Sequence, residues 1–176
     1  MLYKIGEPFI REQFLGLRAG DEVLLTGHIY TARDAAHKLM AESLIKGEKL
    51  PFEIDGQIIY YAGPCPAPPG KVIGSCGPTT SSRMDKYAPV LIENGLLGMI
   101  GKGGRNEIVN DAIKKHKSIY FAAIGGAGAL IARCIKDSKS VAYEELGTES
   151  VKRLYVVDMP VFVASDCLGG NIYEVH

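Results

Sequence analysis

Hydroxyl groups and fixed positive charges are concentrated in three short segments of this chain. The longest, GSCGPTTSSRMD over 74–85, sets Thr79, Thr80, Ser81 and Ser82 directly before Arg83, after a Gly-Pro turn. Hydroxyls beside a guanidinium can hold an anion, and an activated hydroxyl can move a proton. The same run also suits a helix N-cap followed by a solvated loop, and both readings stand on this segment alone. The second segment, YTAR over 30–33, supplies Arg33, and the third, GKGGR over 101–105, supplies Lys102, Gly103 and Arg105. Arginine clamps planar carboxylates through two parallel N–H donors, and glycine-rich turns at a helix start offer backbone N–H groups to an anion. Together these residues could bind and orient a small dicarboxylate.

The chain shows no motif that would supply a strong electrophile. GxxxxGK[ST], HExxH and GxSxG are all missing, and GGAG over 125–128 lacks the spacing of a dinucleotide fingerprint. Four cysteines, Cys65, Cys76, Cys134 and Cys167, include no CxxC pair, so no zinc or iron–sulfur site is expected within the chain. Cys76, between Gly74 and Gly77, and His28, just before YTAR, are candidates for the edge of a site, as is Arg105. Cys134 reads as core, and His37 as a structural residue on the polar side of its helix.

Such residues work only if the fold gathers them. Apolar runs at 22–28, 58–61, 96–100 and 118–124 read as strands, and helical periodicity marks 32–45, 84–93, 101–115 and 129–135. Thr31 is expected to cap the first of these helices, and Ile108, Val109, Ala112 and Ile113 to form the buried face of the third. Four prolines over 62–70 impose a stiff loop, with a further strand expected at 71–73. Two late strands are expected at 154–157 and 160–163. Alternating strands and helices define an α/β fold with mixed sheet content. In such sheets the strand-to-helix junctions collect at one end, where ligands bind, and Arg33, Arg83 and Lys102 all fall at junctions.

Composition bounds the partners. Lys plus Arg and Asp plus Glu each number 20, so the formal net charge is zero, which argues against a nucleic-acid binder and a polybasic membrane-surface protein. No apolar run is long enough to span a bilayer and no signal peptide leads the chain, so a cytoplasmic protein is expected. With no repeat or charged linker, one domain over 1–176 is expected. The 21 glycines and 9 prolines predict many turns and close backbone approaches.

GHIYTARDAAHK (27–38), GPTTSSRMD (77–85) and IGKGG (100–104), in this order and spacing, resemble the β subunit or C-terminal domain of class I iron–sulfur hydro-lyases. That group comprises fumarate hydratase and L(+)-tartrate dehydratase, and the likeness runs over essentially the whole chain. It implies a swivelling β/β/α domain, a mixed sheet flanked by helices. It also implies a partner, either a separate α subunit in an α2β2 assembly or an N-terminal domain, that carries the [4Fe–4S] cluster on its own three cysteines. The cluster's open iron would act as a Lewis acid on the substrate. Carried over by position, Arg33, Arg83 and Lys102, with Thr80 and Gly103, would bind the substrate, and Thr79 would move the proton at carbon. A chain of this length beginning at Met1 is expected to be a separate β subunit. A stand-alone dicarboxylate sensor and a purely structural subunit are the rival readings, and both explain the hydroxyl-rich loop poorly.

Overall fold

The computed structural model describes residues 1–123 and 127–174. Strand β2 (Glu22–Thr31) alternates strictly, with Val23, Leu25 and Ile29 fully buried, as a half-buried strand must. Along one edge it pairs antiparallel with the long β7 (Val151–Ser165), from Glu22 opposite Phe162 to Thr31 opposite Lys152. Its other edge is shared. Parallel β1 (Leu2–Gly6) lies beside its first half, and parallel β3 (Ile58–Tyr60) beside Tyr30 and Thr31. Parallel strands β4 (Gly98–Gly101) and β5 (Ile119–Ala122) continue the sheet. The last residues of β7 then pair antiparallel with β5, closing a ring of β2, β3, β4, β5 and β7. β6 (Ile135–Ala142) pairs with the remaining edge of β7. The parallel strands all point one way, so Thr31, Tyr60, Gly101 and Ala122 end on a common rim.

Two apolar clusters occupy opposite faces of the sheet. Ile58, Tyr60, Ile119 and Phe121 join the first, with Phe14 of α1 (Glu12–Leu15) and Ile131 of α5 (Gly128–Cys134). Ile59, Met99, Tyr120 and Ala122 join the second, against α2 (Asp34–Ile45), α3 (Ala88–Glu93) and α4 (Glu107–His116). Strands covered on both faces read as unbroken apolar runs, which is why β3 and β5 are obvious in the sequence. This is the expected mixed sheet flanked by helices. Among the described residues no helix is long and apolar enough to cross a membrane.

Several expectations need correction. α2 begins at Asp34, not at 32: Thr31 is still sheet, its Oγ1 accepts from the Lys152 N–H (3.3 Å), and Arg33 stands at the N-cap without a side-chain cap. The expected helix over 84–93 splits into a 3-10 turn (Ser81–Met84) and α3, with Pro89 in the first turn of α3, where its missing N–H costs nothing. α4 starts at Glu107 rather than 101, because Asn106 caps it by accepting from the Val109 N–H (2.9 Å). Gly103 and Gly104 therefore do not open a helix. Val109 and Ile113 are buried, whereas Ile108 is 66 % exposed. The two late strands are one strand, β7, carrying Asp158 at φ 50°. β1, read as a lead-in, and β6, too polar to signal itself, are additional strands, and no strand forms at 71–73. Cys134 is half-buried rather than core. Ile124, Gly125 and Gly126, expected as a strand end and part of GGAG, lie outside the described residues.

Candidate carboxylate site on the strand rim

Beyond the rim, the loops after β3 and β4 prolong the sheet. After its proline-rich excursion the chain returns at Thr79, whose N–H donates to the Tyr61 carbonyl (2.7 Å). Thr80 then forms a parallel bridge with Lys102, and the Ser81 N–H donates to the Lys102 carbonyl (2.9 Å). Two segments far apart in sequence are thus set side by side. The buried Tyr120 hydroxyl fixes them further, donating to the Gly103 carbonyl (2.6 Å) and lying 2.7 Å from Ser81 Oγ. Ser81 in turn fills the space over Gly101, where a Cβ would collide with its hydroxyl. Thr79 is 9 % exposed, while Thr80 and Lys102 reach solvent.

The two arginines gather at the start of α2. The Arg83 Nε donates to Asp34 Oδ1 (3.1 Å) and its Nη2 donates to Oδ2, a two-pronged pair that orients the guanidinium. Arg33 lies against Gly63, where a Cβ would meet the guanidinium at 2.5–2.7 Å, so glycine is required for that close approach. Its Nε stands 3.7 Å from Glu149 Oε1 and is buried without a hydrogen-bond partner among the described residues.

Arg105 has a different place. Its side chain is fully buried, with Nε donating to Asp85 Oδ1 (2.7 Å) and Nη2 to the Tyr61 hydroxyl (3.1 Å). It lies over the Tyr120 and Tyr61 rings at 4.7 and 5.2 Å. Burial opposes its charge, but Tyr61 and Asp85 outweigh that and hold the guanidinium pKa above its ordinary value. Arg105 supports the rim from beneath. His28 lies inward along β2, its Nδ1 2.9 Å from Glu7 Oε1 and its ring near Tyr155. Cys76 is buried, and burial with a neighbouring Cys65 pushes its thiol up to about 12. Cys65 is exposed. A disulfide-exchange reagent is therefore expected to label Cys65 in the native chain and to reach Cys76 only after unfolding, as peptide mapping of the labelled protein will show.

His37 is not on the polar side of its helix but completely buried, edge-on to Tyr61 at 5.1 Å. Its Nδ1–H donates to the Arg33 carbonyl (2.8 Å), which ties the backbone at Arg33 to the first turn of α2. Burial above all, with Arg105 nearby, lowers its pKa to about 4, so the imidazole is neutral at pH 7. In the unfolded chain it would bind a proton near pH 6.5. The stability it contributes is complete above that pH and declines as the pH falls towards 4, by about 3 kcal/mol in all. Urea unfolding of the parent chain between pH 7.5 and 4.5 should show this slope, and His37→Gln should flatten it.

Asp34, Glu149 and Tyr120 were not identifiable as site residues from the sequence, whereas Ser81 belongs to the hydroxyl run that the sequence singles out. Acids carry no directional signal in a sequence, and a tyrosine inside an apolar strand reads as core.

The parallel strands of this mixed α/β sheet end among arginines, a lysine and threonine hydroxyls, which makes the rim a candidate anion site. Residues 3–176 match the family described as Fumarase C-terminus, and the chain belongs to that family. It is 39 % identical over 167 residues to "Fumarate hydratase 2" of Leishmania major, covering 94 % of this chain and 29 % of that protein. To "Fumarate hydratase class I, aerobic" of Escherichia coli K12 it is 41 % identical over 152 residues, covering 85 % of this chain and 28 % of the relative. With "Putative L(+)-tartrate dehydratase subunit beta" of Methanocaldococcus jannaschii it shares 40 % identity over 164 residues, covering 90 % of this chain and 84 % of the other. The chain thus spans under a third of the fumarate hydratases it matches and most of the subunit-type relative.

Proposed function

We propose that this chain is the substrate-orienting β subunit of an iron–sulfur hydro-lyase that reversibly hydrates fumarate to L-malate, and that it works together with an α subunit. The observation that carries this reading is the Thr80–Lys102 bridge, which sets the hydroxyl-rich loop beside the KGG loop on the rim where Arg33 also emerges. Arg33 and Arg83 each take one carboxylate of the substrate, Lys102 and the Gly103 turn add positive potential, and Thr80 contributes a hydroxyl at the solvent face. Thr79 moves the proton at the carbon that does not receive hydroxide. A threonine hydroxyl is too weak a base in water, so the neighbouring cations and exclusion of water must favour its ionised form. Among the described residues no three His, Cys, Asp or Glu side chains are grouped to hold a metal. The cluster is assigned to the α subunit, and no step here passes through it.

The M. jannaschii relative, matched over most of its length, supports a second reading in which the substrate is L(+)-tartrate, losing water. The two substrates are separated by assaying both on one preparation of the assembled protein. Arg33→Ala removes a charge-assisted clamp on a carboxylate, and kcat/KM should fall by about 10- to 150-fold for whichever substrate is turned over. An unchanged kcat/KM for that substrate would remove Arg33 from the site.

A further inference from the structure

We propose that Glu149 is a competing carboxylate of this site: its side chain stands in for a ligand carboxylate against Arg33, and a small dicarboxylate must displace it. The inference rests on the proposed reading of Arg33 as a ligand residue. Glu149 comes from the connection between β6 and β7, far from α2 in sequence, so it is not a local helix cap. Its Oε1 nevertheless lies 3.5 Å from the Ala35 N–H, in the first turn of a twelve-residue helix whose N-cap residue supplies no side-chain cap. That end of the helix favours an anion. The same oxygen is 3.7 Å from the Arg33 Nε, close enough for attraction and too far for a hydrogen bond.

The consequence is an unmade bond. Among the described residues Arg33 Nε is buried without a hydrogen-bond partner, although buried donors are almost always satisfied. Gly63 packs directly against the guanidinium, leaving no room there for a Cβ. The Asp34–Arg83 pair is different, since both of its prongs donate and the pair positions the arginine. Glu149 attracts Arg33 without completing the clamp. Glu149 is about one-third exposed, so a rotation of its side chain suffices to clear the position. An incoming carboxylate can then approach in the guanidinium plane and accept from Nε.

The test is a fumarate titration of the full 15N-labelled chain, following the Arg33 Nε–Hε resonance and the 79–81 amides. If Glu149 competes, Glu149→Gln binds fumarate roughly two- to five-fold more tightly, the range set by losing one partly exposed ion pair. A structural role predicts the opposite sign, because a loosened Arg33 would bind fumarate more weakly. An unchanged or raised Kd in Glu149→Gln, with Arg33→Ala abolishing the response, overturns the role of Glu149 and leaves the site reading intact. Equal responses, or none, in the parent and Arg33→Ala chains overturn both.

Discussion

Thr79→Val in the chain assembled with the proposed α subunit should lower kcat by about 10²- to 10⁴-fold, the range of a positioned proton-transfer group. KM should change little. Valine matches threonine in shape, and the contact that places residue 79, its N–H on the Tyr61 carbonyl, belongs to the backbone and survives the change. What disappears is one hydroxyl on a residue 9 % exposed, beside a loop bridged to the one that carries Lys102. Water exclusion and adjacent positive charge are the two factors that would favour an alkoxide in the proposed reading. Thr79→Ser should retain a substantial part of the rate. A kcat within about three-fold of the parent in Thr79→Val would place the proton transfer elsewhere.

The largest effect on stability is expected from Arg105→Ala. The change leaves the buried Asp85 carboxylate with only the Asn106 N–H (2.8 Å), and it removes the cation between the Tyr61 and Tyr120 rings. Breaking a buried ion pair by deleting one partner costs about 3–5 kcal/mol. For a chain of this size that corresponds to a fall of roughly 10 °C in Tm. Tyr61 and Tyr120 both touch the site loops, through the Tyr61 carbonyl and the Tyr120 hydroxyl. Any activity loss in Arg105→Ala should therefore follow the stability loss and shrink on cooling. A normal melting curve combined with lost activity would instead make Arg105 a ligand residue.

How far the sequence reveals the site differs from residue to residue. Arg33 and Lys102 were traceable because each follows an apolar strand, and parallel strands deliver their succeeding loops to one rim, whereas the strand expected before Arg83 does not form and its loop reaches the rim through the Thr80–Lys102 bridge. Arg105 looks identical in the GKGGR segment, yet it turns back under the sheet because Asp85, twenty residues earlier, is already buried there. No local pattern signals that pairing. His37 illustrates the same limit, since a histidine four residues beyond Arg33 sits on its helix face either way until Tyr61 and Tyr87 cover it. In the fold, β3 and β5 were visible as apolar runs, whereas β6 was hidden because an edge strand with a KDSKS run carries little apolar signal. The continuity of β7 through Asp158 was hidden too. Asp at a left-handed position ordinarily marks a turn, but here pairing with β2 resumes on both sides of it.

The neutral overall charge also takes a local meaning. Lys102 shows no ion pair among the described residues, while Arg33, Arg83 and Arg105 each face an acid from this same chain. The charge of the two rim arginines is therefore partly neutralised within the chain.

The most direct measurement is anaerobic reconstitution of the chain with a cluster-loaded α subunit, followed by fumarate consumption and L-malate formation. Turnover is predicted for the parent pair, with a loss of about 10-fold or more in kcat/KM for Arg33→Ala and for Arg83→Ala. Failure to turn over either fumarate or L(+)-tartrate with an intact cluster, or turnover indifferent to both arginines, would contradict the proposed function.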